Sequence, residues 1–438
     1  MMVDGENALV DVWLPYGKTE VCLRVPARNF LGSIEPREKP GLPDAEAEIK
    51  RALNEPVGSK RLDEMAKPES RVAIVLDAAA GSAVSRIMIS GVLGELKRAG
   101  VRDENVTVIF GCGAPKAVAS GEVGEFLGED VLKRVKVIIH DPKAQDIVYL
   151  GATPKHGTKV YLNRVFAEAD VKILVGVVRF HRYAGYSGGR MGVLPGVSGE
   201  ETIRANHTMI LSPNAKAGVL DGNPVHEDMV EAANMAKVDF TLNVVVNSKG
   251  EVVKALAGDL GQAFNEGVKV VDEAYRVAIN RRADIVVVSP GGYPADVNLF
   301  QAFEAVDNAL DVVKRGGVII LAAECSEGYG NKVFYDWMVK FKDLKSIERE
   351  IKRNFVFGGH GAYYLIKALQ RAQIILASAM PDYYAVNVFG LKTARTVNEA
   401  LNQSLKMVGD NARVWAIPYG TLTLSEFVAG EQQPPSMA

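Results

Sequence analysis

His181 and His207 flank the most chemically suggestive stretch of this 438-residue sequence, Phe180–Gly196 (FHRYAGYSGGRMGVLPG). Imidazole is the commonest transition-metal ligand and also transfers protons near neutral pH. The two histidines stand 26 positions apart, a spacing that by itself specifies neither a metal site nor an acid–base pair. Between them, Tyr186-Ser187-Gly188-Gly189-Arg190 combines backbone N–H groups, a hydroxyl and a guanidinium. Such a set can hold a phosphate or a carboxylate. Arg179 and Arg182 lie nearby. A plain glycine turn with solvated arginines fits the same spacing, and both readings stay open. His140, His156, His226 and His360 carry no motif. Gly111-x-Gly113 resembles the start of a dinucleotide fingerprint, but Lys116 occupies the third glycine's place, so a tight strand-to-helix turn is the simpler reading.

The elements that must position these loops read as alternating apolar strands and amphipathic helices. Val72–Asp77, Val106–Phe110, Val135–Ile139 and Val171–Val178 are apolar β-branched runs. The first is followed by a helix with Ile89, Val92, Leu93 and Leu96 on one face. A second series comprises Ile285–Ser289, a helix over Val297–Val313, then Val318–Ala322, Ile374–Ala377 and Val414–Ile417. Continuous apolar strands separated by helices predict mainly parallel sheets covered on both faces. Ligands in such sheets sit beyond the carboxyl ends of the strands. Asp77–Val84, Gly111–Lys116, Phe180–Gly196 and Pro290–Gln301 are therefore the loops to watch. The expected division is an N-terminal domain over 1–278 and a C-terminal domain over 279–438, with a boundary in the region 275–283. Asp44 and Ser59 are candidate helix caps, and Thr396 with Glu399 forms a T-x-x-E capping box.

Composition narrows the class. A hydrophobic share of 48% with 24% charged residues fits a globular chain, and 51 basic against 53 acidic residues leave no footprint for nucleic acid. The 3 cysteines are far apart, which argues against a disulfide framework or structural zinc. With no signal-peptide pattern and no long apolar span, a cytoplasmic protein without membrane contact is expected. The residues alone describe a two-domain α/β protein with an anion-binding loop, acting on a small anionic molecule.

Longer motifs add a resemblance. Leu14-Pro15-Tyr16-Gly17, Pro56-x-Gly58-Ser59, LGATPKHGTKVYLNRVFAEAD, HRYAGYSGGRMGVLPGVSGEETIRANH, GGYPADVNLFQ and Pro418-Tyr419-Gly420 together resemble the nickel-dependent lactate racemase family, the LarA-type hydroxyacid racemases and epimerases. The resemblance implies two α/β domains with an active-site cleft between them. It also implies a nickel-pincer pyridinium mononucleotide, and hydride transfer from and to Cα of a 2-hydroxy acid. By the same resemblance, His207 would ligate nickel and His181 would exchange the hydroxyl proton. Ser187, Gly188, Gly189, Arg190, Met191 and Gln301 would line the cofactor. Cofactor-synthesis proteins are implied as transient partners.

The departures are as informative. Met191 stands where the family's lysine tethers the cofactor, so a noncovalent cofactor is expected. Gly113 and Ala114 replace a second catalytic histidine and its arginine. Ala78-Ala79-Ala80-Gly81 replaces the segment that carries the substrate-gripping arginine. Phe300 and Glu304 replace a tyrosine and a lysine. Lys116, Cys112 or a water could take over the lost proton transfer, though Lys116 would need a strongly lowered pKa. Arg179, Arg182 or Arg190 could take over the anion grip. The resulting expectation is a racemase or epimerase whose substrate is not lactate. The alternatives are a catalytically silent paralogue that binds a nucleotide-like cofactor or small acid, and a redox enzyme using a dissociable nicotinamide.

Overall fold

The computed structural model describes residues 8–112 and 121–428. Lys116, Gly113 and Ala114 lie outside them. The chain forms two compact units, one spanning Glu38–Ala274 and the other joining the residues up to Arg37 to those from Tyr275 onward. This differs from the expected 1–278 division. The strand Phe30–Ser33 hydrogen-bonds to Val414–Ile417, which ties the N-terminal segment to the C-terminal sheet.

The Glu38–Ala274 unit carries a six-stranded sheet. Its order is Val252–Gly258, Phe240–Val246, Val171–Val177, Val72–Leu76, Val106–Phe110 and Lys136–Ile139. Only the Val252–Gly258 pairing is antiparallel. Val72–Leu76 is buried throughout, as an inner parallel strand must be. The helix Ser82–Arg98 buries the expected Ile89, Val92, Leu93 and Leu96 against it.

The other unit holds a second six-stranded sheet, all parallel. Its order is Lys392–Ala394, Gln373–Ala377, Val313–Ala322, Ala283–Val288, Val414–Ile417 and Phe30–Ser33. Within this unit Leu9–Tyr16 and Thr19–Pro26 form an antiparallel hairpin.

Several local expectations change. The helix foreseen over Val297–Val313 splits into Leu299–Ala302 and Glu304–Ala309, and Val313 already begins a strand. Asn298 caps the first piece by accepting from the Gln301 N–H. Asp44 caps Ala45–Asn54, with its carboxylate 2.8 Å from the Ala47 N–H. Ser59 does not cap the next helix, which begins at Leu62 with Arg61 before it; the Ser59 hydroxyl bonds the Lys60 carbonyl instead. Thr396 accepts from Glu399 N–H at 3.1 Å, while the Glu399 carboxylate reaches Arg395 N–H rather than that of the cap. No described helix is long and apolar enough to cross a membrane.

Candidate active site

The strand Val171–Val177 runs into the glycine loop, which folds back on itself: Phe180 pairs with Tyr186 and His181 with Gly185. This tight hairpin needs Gly185, whose φ is +78° and whose missing Cβ leaves room for the Val219 carbonyl. The loop then closes inward. The Ser187 hydroxyl donates to the Val177 carbonyl at 2.7 Å and accepts from the Arg179 N–H at 3.2 Å. The Gly189 N–H donates to Asn243 Oδ1 at 3.0 Å.

Arg190 completes the closure. Its guanidinium is 2% exposed and donates to the Gly188, Ala184 and Tyr186 carbonyls at 3.1, 2.8 and 2.7 Å. Its Nε donates to His226 Nδ1 at 3.1 Å, and its plane lies 4.3 Å from the Phe264 ring centroid. Burial pulls its pKa down to about 9, which leaves it charged at neutral pH. Several donors of the expected anion cradle are thereby engaged within the chain. Ser187, Gly189 and Arg190 direct their donors inward, and Gly188 gives its carbonyl to Arg190. These paired donors form the frame of the loop. Met191 is half-buried, with its N–H on the Gly188 carbonyl at 3.2 Å.

Two rings of the loop line up with a third from the helix that follows. The half-buried His181 lies edge-on to Tyr183 with centroids 4.5 Å apart, and Tyr183 lies 5.2 Å from His207. His207 ends the helix Glu200–His207. A second helix, Pro224–Ala236, is anchored to the loop by Asn223, whose amide caps it and also donates to the Tyr183 carbonyl at 2.9 Å. Burial lowers the pKa of His207 to about 4, opposed by a hydrogen bond to the Ile203 carbonyl. That of His181 falls well below 6.5 through burial first, then the charges of Arg179 and Arg190. Both rings are therefore neutral near pH 7. A neutral, buried imidazole that donates one N–H to a carbonyl is the form in which histidine binds metals. In this arrangement His181 Nδ1 accepts the Ala184 N–H at 3.2 Å, so Nε2 carries the ring hydrogen.

Three neighbours escaped the motif reading. Asp77 follows the strand Val72–Leu76, and burial pushes its carboxyl pKa up while Arg179 pulls it down. Its position as the first charge after an apolar run was a readable signal. Asn243 is a lone amide in an apolar strand, a pattern that marks a buried polar hub. His226 had no sequence signal; burial first, then the charge of Arg190, lower its pKa to about 3, so the ring is neutral and can accept from Arg190. Cys112 is no substitute base. Its thiol donates to the Pro195 carbonyl at 3.1 Å, and burial raises its pKa to about 12.

Gln301 and Glu304 belong to the other unit and are half-buried, Gln301 within Leu299–Ala302 and Glu304 at the start of Glu304–Ala309. Phe300 packs 5.6 Å from Phe334 and 5.5 Å from His360, centroid to centroid. A cavity of about 420 Å³ in this unit, lined by Arg282, Val313, Arg315, Lys367, Gln370 and Arg371, contains none of the foreseen site residues.

Residues 16–218 match the lactate racemase N-terminal domain and residues 278–424 the lactate racemase C-terminal domain. The lactate racemase of Thermoanaerobacterium thermosaccharolyticum is 31% identical over 422 residues, covering 94% of this chain and 98% of that protein. The chain belongs to the lactate racemase family. The lactate racemase of Lactiplantibacillus plantarum is 30% identical over 423 residues, covering 94% and 99%. The lactate racemase apoprotein structure from T. thermosaccharolyticum superposes with a TM-score of 0.88 at 30% identity, covering 95% of this chain and 100% of that one. A Thermotoga maritima protein shares the fold, with a TM-score of 0.67 at 18% identity over 89% of this chain and 100% of its own. The two-unit α/β architecture with mainly parallel sheets is thus that of the lactate racemase family. The N-terminal family match begins at residue 16, so it takes in residues 16–37, which pack with the C-terminal sheet.

Proposed function

We propose that this chain is an isomerase of the lactate racemase kind. It racemises or epimerises a 2-hydroxy acid other than lactate, with a noncovalently held nickel-pincer pyridinium mononucleotide. The observation that carries the reading is the line from His181 and Tyr183 of the loop to His207 of the helix Glu200–His207, beside Ser187, Gly189 and Arg190, whose donors are already engaged. Among the described residues no three histidine, cysteine or acidic side chains converge as a metal cluster. A single buried, neutral His207 therefore fits a metal that arrives with donors of its own better than a bare ion. When bound, the cofactor supplies a reversible hydride acceptor for the substrate Cα.

The chain's own part is positional and electrostatic. His207 offers an uncharged nitrogen. His181 lies one ring away, with Nε2–H as the group that meets the substrate oxygen. Accepting a proton there requires the ring to turn or to release the Ala184 N–H, so proton movement is coupled to this hydrogen bond. Met191 cannot form the lysine linkage, so the cofactor is retained by noncovalent contacts alone. Ala78–Gly81 carries no arginine, and Glu304 reverses a charge, which selects a substrate other than lactate.

The test is direct. The protein is purified after co-expression with the cofactor-synthesis proteins, then assayed for nickel and examined by native mass spectrometry. Nickel together with a pyridinium mass that is lost on denaturation supports the reading; absence of both refutes it. With cofactor bound, a panel of 2-hydroxy and sugar acids is screened for exchange at Cα–H. Bound cofactor without exchange on any of them would establish the silent paralogue instead.

A further inference from the structure

The family's substrate-gripping arginine is missing from the turn Ala78–Ala80, yet the structure places another cation beside that turn. Ala78–Ala80 packs against the strand Val171–Val177, and Asp77 N–H donates to the Val175 carbonyl at 2.8 Å. Gly176 in that strand has no side chain; a Cβ there would lie 3.5 Å from Asp77 Cβ. Two residues beyond the strand comes Arg179. Its backbone is clamped on both sides by Ser187, which accepts its N–H and donates to its carbonyl at 2.8 Å.

The side chain of Arg179 is only partly exposed, and its Nε is buried without a hydrogen-bond partner. It influences both Asp77 and His181 electrostatically. Among the described residues no carboxylate forms an ion pair with it. Arg190 has its acceptors, as shown above, and is not available. A buried guanidinium N–H without an acceptor is costly unless an anion arrives to accept it. Asp77 does not fill that role: its carboxylate accepts the Ala79 N–H at 3.0 Å, and burial favours its neutral form.

We propose that Arg179 binds the substrate carboxylate, replacing from the end of the neighbouring strand the arginine that the Ala78–Ala80 turn lacks. This rests on the reading of His181 as the group that meets the substrate hydroxyl. In a 2-hydroxy acid the carboxylate and the hydroxyl sit on adjacent carbons, so their partners must be neighbours. Arg179 and His181 are two residues apart at the start of the same hairpin. A guanidinium entering from the sheet side holds the carboxylate in a different place from one on the turn, which accounts for a substrate other than lactate.

The experiment uses the full chain purified without cofactor, so its outcome is independent of nickel loading. Binding of 2-hydroxybutanoate and of oxalate is measured by NMR titration, with 2-hydroxybutanamide as the uncharged comparator. The expected result is that the wild-type protein binds both anions and binds the amide at least ten-fold more weakly. Arg179→Gln should lose at least ten-fold in affinity for the anions and nothing for the amide. Arg179→Lys keeps the charge but not the two-pronged geometry, and should fall between them; it serves as the readout if Arg179→Gln does not fold. Equal binding of anion and amide, an Arg179 variant within two-fold of wild type, or no anion binding by the wild-type protein would each overturn the assignment. A larger loss in Arg182→Gln than in Arg179→Gln would also overturn it. Nickel and pyridinium content, measured separately, reports on the cofactor reading alone.

Discussion

Replacing Arg190 with methionine separates a frame from a binding group. If Arg190 holds the glycine loop together, Arg190→Met leaves the Ala184 and Tyr186 carbonyls and His226 Nδ1 without their donor, while the Gly188 carbonyl keeps the Met191 N–H. A buried acceptor that loses its partner costs about 1–3 kcal/mol, so these three cost at least about 3 kcal/mol. The lost stacking on Phe264 adds about 1 kcal/mol, while removing a buried cation returns part of the total. A net destabilisation of about 3–4 kcal/mol follows. In a unit the size of Glu38–Ala274 each kcal/mol shifts the melting temperature by roughly 2–4 °C, so a drop of about 6–16 °C is expected. Circular dichroism melts of the cofactor-free protein measure it, and urea titration gives the free energy. Because no cofactor is present, lost ligand binding cannot imitate the effect. A melting temperature within 2 °C of wild type would refute the framework role and restore Arg190 as a candidate for the cofactor.

Other expectations follow from single contacts. Gly185→Ala forces a side chain into the Val219 carbonyl at φ +78°, and should cost more than about 2 kcal/mol in urea unfolding. His207→Ala, purified with the cofactor-synthesis proteins, should lose nickel by metal analysis while its cofactor-free melting temperature changes little. Met191→Lys, made in the same background, should carry an added mass that survives denaturation if Met191 lies at the tether position. Glu48 gives a pH signature: its hydrogen bond to Arg51, outweighing partial burial, lowers its pKa to about 2 from 4.5. Because the folded pKa is the lower one, the stabilisation is present in full above pH 4.5 and is lost as the pH falls toward 2. The shift corresponds to about 3 kcal/mol, which solvent screening at the partly exposed Arg51 reduces to about 2 kcal/mol. The stability gap between wild type and Glu48→Gln should be of that size at pH 6 and should shrink across that window in urea unfolding.

The strands were legible because an inner parallel strand must be apolar on both faces, and Val106–Phe110 and Val414–Ile417 have the bounds that this rule marks. The N-terminal segment was misplaced because Phe30–Ser33 joins its sheet through backbone hydrogen bonds to a strand almost four hundred positions away, and no local pattern encodes such a partner. The glycine loop fails for a related reason. Its composition announces donors, but composition does not say where donors point, and here Asn243 and the loop's own carbonyls take them. The same distinction decides between the arginines. Arg179 and Arg190 are equivalent as letters flanking one motif, and neither spacing nor type separates them. What separates them is whether each guanidinium finds its acceptors within the fold. Arg190 does, and so it holds the loop in place. Arg179 leaves its Nε buried without one, and this is the ground for proposing the anion grip at the end of the strand that leads into the loop rather than in the glycine turn.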